Sequence, residues 1–176
     1  QDFFPAVMYN RVIAQLGLLA FDKAEQIYND MKDKYPDSNR TSSAAYYIGL
    51  SLIEKAGTIR GKPEESPPME YAALLKKGTE YMMHYCEVSG FDSFTNLKNV
   101  CEWYQELGDL GEAGAYEKSR DTYQTLLKEF GKDPNYAEEI QANVYRGYGE
   151  VLNKLHDFQT AKPIWLRQLK ANPKNV

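Results

Sequence analysis

The side chains with the most chemical reach in this sequence are two histidines, two cysteines and several adjacent carboxylates, and their spacing decides what they could do. His84 and Cys86 stand close together, but a zinc centre needs about four convergent ligands, and no companion pair follows at ligand spacing. No metal ion and no cofactor are expected. His156 lies beside Asp157 in an expected turn between helices, where helix-terminal and capping roles account for it without catalysis. Cys86 and Cys101 belong to helices joined near Gly90; an antiparallel hairpin leaves their sulfurs about six helical residues out of step, roughly 9 Å. They are expected as two buried thiols rather than a disulfide. No CxxCH haem-attachment run occurs.

Carboxylates come in neighbouring pairs, Glu64-Glu65 and Glu138-Glu139, yet adjacent acids point in different directions and stay solvated, so paired-acid hydrolysis is not indicated. A nucleophile elbow, a phosphate-binding glycine loop and an HExxH zinc helix are all missing from the sequence. No catalytic residue is assigned, and the chain is expected not to be an enzyme. The fourteen tyrosines (14) could stack on sugars or anchor a protein interface. Tyr28, Tyr116, Tyr123, Tyr145 and Tyr148 have a packing role instead, set out below, while Tyr46, Tyr47 and Tyr104 are less constrained.

Composition narrows the classes. With 43% apolar and 26% charged residues in 176 positions, the chain has material for one ordinary globular domain and is neither disordered nor fibrous. A formal charge of −4, without a Lys/Arg run, argues against nucleic acid as a partner. The longest mostly apolar stretch, Val12 to Phe21, is broken by Gln15 and Gly17 and is too short to span a membrane. The start at Gln1 fits a processed secretory protein, an excised fragment or the ordered part of something longer.

The elements that must position any site come from an internal period. In three places an aromatic residue is followed three positions on by a small one and seven positions on by another aromatic: Phe21/Ala24/Tyr28, Tyr116/Ser119/Tyr123 and Phe158/Ala161/Trp165. Those offsets lie on one helical face. Met31 and Leu126 continue the first two stripes, and Pro36 and Pro173 follow the outer ones, where proline stops a helix. A second spacing, Ala45/Ile48/Gly49/Leu52 and Tyr145/Tyr148/Gly149/Leu152, holds a glycine that costs helix propensity and admits a close neighbour.

Together these patterns resemble the tetratricopeptide repeat, a pair of antiparallel helices whose first helix carries a small residue mid-way and whose second carries alanine, an aromatic and a terminal proline. The segment 143–173 carries the family spacing most fully, in Tyr145, Tyr148, Gly149, Leu152, Asp157, Phe158, Ala161, Trp165 and Pro173. About two thirds of the chain is covered. The helix after Leu52 departs from the pattern, since Tyr71 is followed by Leu74 and Gly78 where small and aromatic residues belong. The resemblance implies an all-α, right-handed superhelical solenoid of about four antiparallel hairpins, at 3–36, 41–88, 93–131 and 134–173, forming a single domain over 1–176.

Eight helices are predicted, at 3–19, 21–34, 41–55, 67–88, 93–108, 113–130, 134–155 and 158–171. Ser66-Pro67, Asp92-Ser93 and Asp133-Pro134 supply N-cap signals, two of them with proline at the first helical position. Residues 57–68, with two glycines and three prolines, read as an inserted loop. Pro163 removes a hydrogen bond to Gln159 and is expected to bend or open the start of its helix.

In the resembling family, first helices line the inner curve and meet a partner. That register offers Ser43, Tyr46, Leu50, Ile53 and Glu54 on one hairpin, and Asn143, Arg146, Glu150, Asn153 and Lys154 on another. An apolar end and a charged end suit an extended segment or a helix docking through a few anchors. The opening segment, with Phe3, Phe4, Val7, Met8, Val12 and Ile13, is more apolar around its circumference than an end helix should be, so it is expected as an assembly surface. The function implied is a noncatalytic protein-interaction scaffold or accessory subunit of a larger assembly. Its partners are other protein subunits, with self-association, and a small-molecule ligand is not expected. A solute- or glycan-binding protein using off-stripe aromatics is the alternative. The segment Lys32 to Ser43, where a KYPDS turn leads into a helix containing Tyr46-Tyr47, looks like repeats of bacterial cell-envelope assembly proteins, which implies a periplasmic or other extracytoplasmic location, with the cytoplasm as the alternative.

Overall fold

Backbone carbonyls and amides at the ends of each periodic run must find partners outside the helix, and short turns with proline, serine or aspartate supply them along this chain. The computed structural model describes residues 3–61 and 67–171. Among them only helices and connecting turns occur: α1 (Phe3–Gly17), α2 (Phe21–Lys34), α3 (Asn39–Ile59), α4 (Met69–Val88), α5 (Phe94–Asp109), α6 (Ala115–Phe130), the short α7 (Ala137–Glu139), α8 (Tyr145–Lys154) and α9 (Phe158–Ala171). A 3₁₀ turn at Pro134–Tyr136 and a π segment at Ile140–Val144 flank α7. The all-α class holds, and no described helix is long and apolar enough to cross a membrane. The chain divides into two compact units, Gln1–Gly90 and Phe91–Val176.

In the first unit α1 packs on α2, both pack on α3, and α3 pairs with α4. Val12, Ala24, Tyr28, Met31, Ala44, Ala45, Ile48 and Leu52 form its buried core, with Met8, Ile13 and Phe21 closing the edge. Each large aliphatic side chain so buried is worth about 1.5–3 kcal/mol. The Tyr46 and Tyr85 rings lie 4.9 Å apart, Gly49 abuts Met82, and Gly78 abuts Ile53, so α3 and α4 run antiparallel. By contrast α2 and α4 run in the same direction. Glu25 meets Lys77 at 2.6 Å, and the ring of Tyr28 meets that of Tyr81 at 5.4 Å one turn further along both helices.

The second unit repeats the order, with α5 paired to α6, α6 packed on α8, and α8 paired to α9. Its core holds Leu97, Val100, Cys101, Leu107, Ser119, Tyr123, Leu126, Val144, Tyr148, Leu152 and Ala161. The Tyr116 ring closes on Gly108, and the Ser119 hydroxyl donates to the Cys101 carbonyl at 2.8 Å, which fixes α5 and α6 as antiparallel. At one end Phe94 stacks on Tyr136 at 4.2 Å, and Phe130 meets Phe94 edge-on at 5.7 Å.

Two of the three aromatic–small–aromatic triplets point inward as the period requires: Ala24, Tyr28, Ser119 and Tyr123 are buried. The third is split. Ala161 is buried and Trp165 packs on Gly149, but Phe158 is exposed, because no described helix lies against that side of α9. Tyr104 belongs to the core as well.

Several expected boundaries move. Helix α3 continues through Gly57 to Ile59, so the inserted loop is shorter than 57–68. The Thr58 hydroxyl donates to the Lys55 carbonyl at 2.7 Å within that last turn, and the glycine costs only about 1 kcal/mol there. Ser66 falls outside the described residues, as do Glu64-Glu65 and Pro173; α4 begins at Met69, with Pro68 at its N-cap and no side-chain cap. Ser93 and Asp133 do cap, accepting from the Asn96 and Asn135 amides. The expected helix 134–155 is instead a 3₁₀ turn, one α turn, the π segment and then α8; Asp133-Pro134 starts a tighter turn that the later residues must unwind from. Pro163 does not break α9, which runs through it. Both Gln159 and Pro163 are exposed, so the carbonyl deprived of its amide meets water.

Three inter-helix turns share one backbone pattern. The amides of Leu19 and Ala20 donate to the Leu16 and Gln15 carbonyls, those of Gly111 and Glu112 to Gly108 and Leu107, and those of His156 and Asp157 to Asn153 and Leu152. This is a Schellman closure, which needs its C′ residue in the left-handed region. Leu19, Gly111 and His156 have φ of 56°, 88° and 57°. Asp157 then caps α9 by accepting from the Thr160 amide at 3.1 Å, and the His156 ring sits edge-on to Phe158. Helix-terminal geometry accounts for the pair.

Candidate functional site

Successive first helices can present a shared face only if they lie side by side, and each unit brings one such pair together through side chains. In the first unit these are α1 and α3. The Tyr9 ring sits 6.1 Å from that of Tyr47, and Arg40 stands 5.3 Å over Tyr9. Burial, then the neighbouring Tyr47, pushes the Tyr9 hydroxyl above the ordinary phenol range. Tyr46 meets Tyr47 edge-on at 5.3 Å and turns its other side to Tyr85. Of the expected contacts, Tyr46, Leu50 and Ile53 are half-buried. Tyr46 and Ile53 lean on α4, and Glu54 is exposed. The Ser43 hydroxyl donates back to the Asn39 carbonyl at 2.7 Å. Tyr47, which the spacing left unassigned, is the more open aromatic at 42% exposure.

In the second unit α5 and α8 share a charged face. Lys154 donates to Asp109 at 2.9 Å, and the Tyr116 hydroxyl donates to the same oxygen at 2.6 Å. Burial works to raise the Asp109 carboxyl, but the Tyr116 hydroxyl and the Lys154 ammonium outweigh it and hold the group below the ordinary carboxylate range. Gln105 donates to Glu150 at 3.2 Å. Lys98 bridges Glu102 at 2.8 Å and Glu139 at 3.3 Å, and the Glu102 hydrogen bond leads in raising its ammonium. Arg146 donates to Asn143 at 3.2 Å, and Asn143 to Glu139 at 2.9 Å. Arg146, Glu150, Asn153 and Lys154 are all exposed on one side of α8. On this polar face Lys154 and Glu150 are bonded to Asp109 and Gln105 of α5, and Arg146 to Asn143 of the preceding π segment.

Three apolar patches lie apart from these faces. Phe3, Phe4 and Val7 are exposed on α1, with the two phenylalanine rings edge-on at 5.7 Å, while Val12 and Leu16 of the same helix are buried. Leu18 and Leu19 are exposed at the first turn, and Phe158, Leu166 and Leu169 on α9. Among the described residues, the hollows of the first unit include two. One, of about 500 Å³, is polar and lined by Ala6, Asp37, Ser38, Asn39, Arg40 and Ser43. The other, of about 300 Å³, lies between α2 and α4 and is lined by Tyr28, Asn29, Lys32, Lys77, Glu80, Tyr81 and His84.

Glycine contacts were the part least visible from spacing. Gly147 sits against the Tyr123 hydroxyl and Gly149 against the Trp165 ring, so α8 meets α6 and α9 through positions without a side chain. Of these two, Gly149 alone falls in the repeated spacing that it shares with Gly49. Among the described residues no group of His, Cys, Asp or Glu is arranged to hold a metal ion, and Cys86 and Cys101 are both buried. No protein-family model matches the chain, and no curated protein matches it.

Proposed function

We propose that the chain is a noncatalytic helical-repeat scaffold of the tetratricopeptide type, an accessory subunit that holds other protein subunits in a larger assembly. The observation that carries this reading is the packing order common to both units: a hairpin, its second helix against the next first helix, then another hairpin. Such an arrangement arises when no hairpin can bury its own apolar stripe. Continued stacking of this kind builds a right-handed superhelix whose first helices face inward. Arg146, Glu150, Asn153 and Lys154 are then the polar contacts of the inner face, and Tyr46, Leu50 and Ile53, with Tyr47, its apolar contribution. Phe3, Phe4 and Val7 serve assembly, including self-association. A periplasmic or similar compartment is part of the same proposal, resting on the envelope-like segment 32–43.

The test is affinity capture with the full chain as bait in its native source, followed by a binding titration with the captured protein. Arg146→Glu with Lys154→Glu reverses charge on an exposed face and leaves the core untouched. A stoichiometric partner whose affinity falls at least ~10-fold in that variant supports the reading, since rim and hot-spot charges act on this scale. Unchanged binding removes α8 from the contact. For the α1 patch, Phe4→Ser with Val7→Ser is expected to lower the sedimentation coefficient of any oligomer.

A second reading, a protein that binds a solute or glycan, has one observation in its favour, the hollow of about 300 Å³ with Tyr81, an aromatic off the repeat stripe, in its wall. A thermal-shift screen with sugars separates the two readings.

A further inference from the structure

We infer that the open side of α9 is a docking face for an acidic amphipathic helix of a partner protein, an inference that rests on the interaction reading above and names a second surface for it. At 100° per residue, Phe158, Leu169, Lys162 and Leu166 fall in one arc of about 80°, adjoining Trp165. Phe158, Leu166 and Leu169 are 61%, 49% and 42% exposed, while Ala161 on the neighbouring side is buried and Trp165 is pinned on Gly149. The orientation of the helix is therefore fixed, and the arc is left over.

Comparison with α2 and α6 sets this arc of α9 apart from theirs. Eight and eleven residues after the opening aromatic, α2 carries Asn29 and Lys32, both exposed, and α6 carries Gln124, exposed, and Leu127, half-buried. Helix α9 carries leucine at both places. A solvated helix gains nothing from such residues, and a contiguous apolar strip of this kind marks a contact.

Charge selects the occupant. The chain is net −4, yet α9 has Lys162, Arg167 and Lys170 and no carboxylate at all. Arg167 is held by the Tyr145 ring and hydroxyl, leaving Lys162 inside the apolar arc and Lys170 at its border. A strip about 80° wide suits the ridge of a single helix rather than a bilayer surface, which takes a broader apolar face. Leucines for the strip and glutamates for the two lysines define an acidic amphipathic helix.

The probes are a synthetic leucine–glutamate amphipathic helix, its leucine–lysine counterpart, and vesicles containing phosphatidylglycerol, each titrated into the full chain. The acidic helix is expected to bind with a Kd on the order of micromolar and to weaken about 10-fold when salt rises to about 0.5 M. Leu166→Glu with Leu169→Glu abolishes the binding. Lys162→Glu with Lys170→Glu transfers preference to the lysine helix, an outcome that a merely unfolded variant cannot give. Equal binding of both helices, binding of neither, or vesicle binding without helix binding overturns the proposal. Self-association lost in the leucine variant, without helix binding, assigns the face to a second copy and also overturns it. A chain that loses its captured partner through the α8 variant but ignores the acidic helix refutes only the α9 inference, and the scaffold reading stands.

Discussion

Gly49 and Gly78 face each other where α3 crosses α4. A Cβ on Gly49 stands 3.0 Å from the Gly78 carbonyl oxygen, and one on Gly78 stands 2.9 Å from the Gly49 carbonyl oxygen. Two backbones approach this closely only where neither residue has a side chain. The crossing sets the distance at which Met82 and Ile53 pack, and through them the depth of the first unit's last hairpin.

Alanine at either position therefore destabilises the fold even though it favours helix. Gly49→Ala meets Met82 Cγ at 2.8 Å and Gly78→Ala meets Ile53 Cγ1 at 2.6 Å, with a backbone oxygen behind each. Overpacking of this kind costs about 1–3 kcal/mol, against a propensity gain of about 1. Urea denaturation is expected to show a net loss for both, larger for Gly78→Ala. Gly57→Ala, on the same helix with nothing within 4 Å, is expected to gain up to about 1 kcal/mol. A gain at Gly78 comparable with that at Gly57 refutes the close crossing.

The three Schellman turns give a prediction of opposite sign. Leu19 and His156 hold the left-handed conformation that Gly111 holds without a side chain. A branched or ring side chain there costs about 1 kcal/mol relative to glycine. Leu19→Gly and His156→Gly are expected to raise stability by about that amount, and Gly111→Ala to lower it similarly, as read by the thermal midpoint. Exposed Leu19 loses no core contact in the exchange.

How much of this was legible depended on whether a feature belongs to one helix or to two. Phe21/Ala24/Tyr28 and Tyr116/Ser119/Tyr123 could be read because a buried stripe repeats along a single helix. The same period promised burial for Phe158, which stays exposed, since burial also needs a neighbour that no period encodes. Gly78 looked like a departure from the repeat because its role is set by Gly49, a residue of another helix. The π segment at Ile140–Val144 is a choice of hydrogen-bond register with no side-chain signature. Tyr46 and Tyr47 differ by 100° around α3, so which of them is open follows from the seating of α3 on α1 and α4, not from their type. The charged residues of α8 were legible as a face, but their partners Gln105 and Asp109 on α5 were not, because long side chains pair according to where the helices lie.

Ser119 occupies the place where the resembling repeats carry alanine, and it is fully buried. Its hydroxyl donates to the Cys101 carbonyl, which satisfies a group that would otherwise be desolvated. Ser119→Ala removes the bond and the donor together, so the cost is modest, about 0.5–1.5 kcal/mol. Ser119→Val keeps no donor and adds volume between α5 and α6, and is expected to cost about 1–3 kcal/mol. Chemical denaturation that ranks valine above alanine overturns this account of the α5–α6 contact.

The Asp109–Lys154–Tyr116 cluster makes stability depend on pH in a direction that can be worked out. Asp109 is held below its ordinary value of 3.8, so its ionised form binds more strongly in the folded chain. That contribution is present above the unfolded value and is lost as pH falls through the folded one. Lys154 is held above its ordinary 10.5, chiefly by Asp109; its contribution is present below that value and is lost only as pH rises beyond the folded one. Both therefore act across neutrality. The difference in thermal midpoint between the wild-type chain and Asp109→Asn is expected to be flat from about pH 5 to about pH 9 and to close as pH falls below about 4. Both groups are largely solvated, so salt shrinks the neutral-pH difference. A difference that persists unchanged down to about pH 2 means that the asparagine acts through packing against Tyr116, and the carboxylate is then not what holds α5 to α8 at this point.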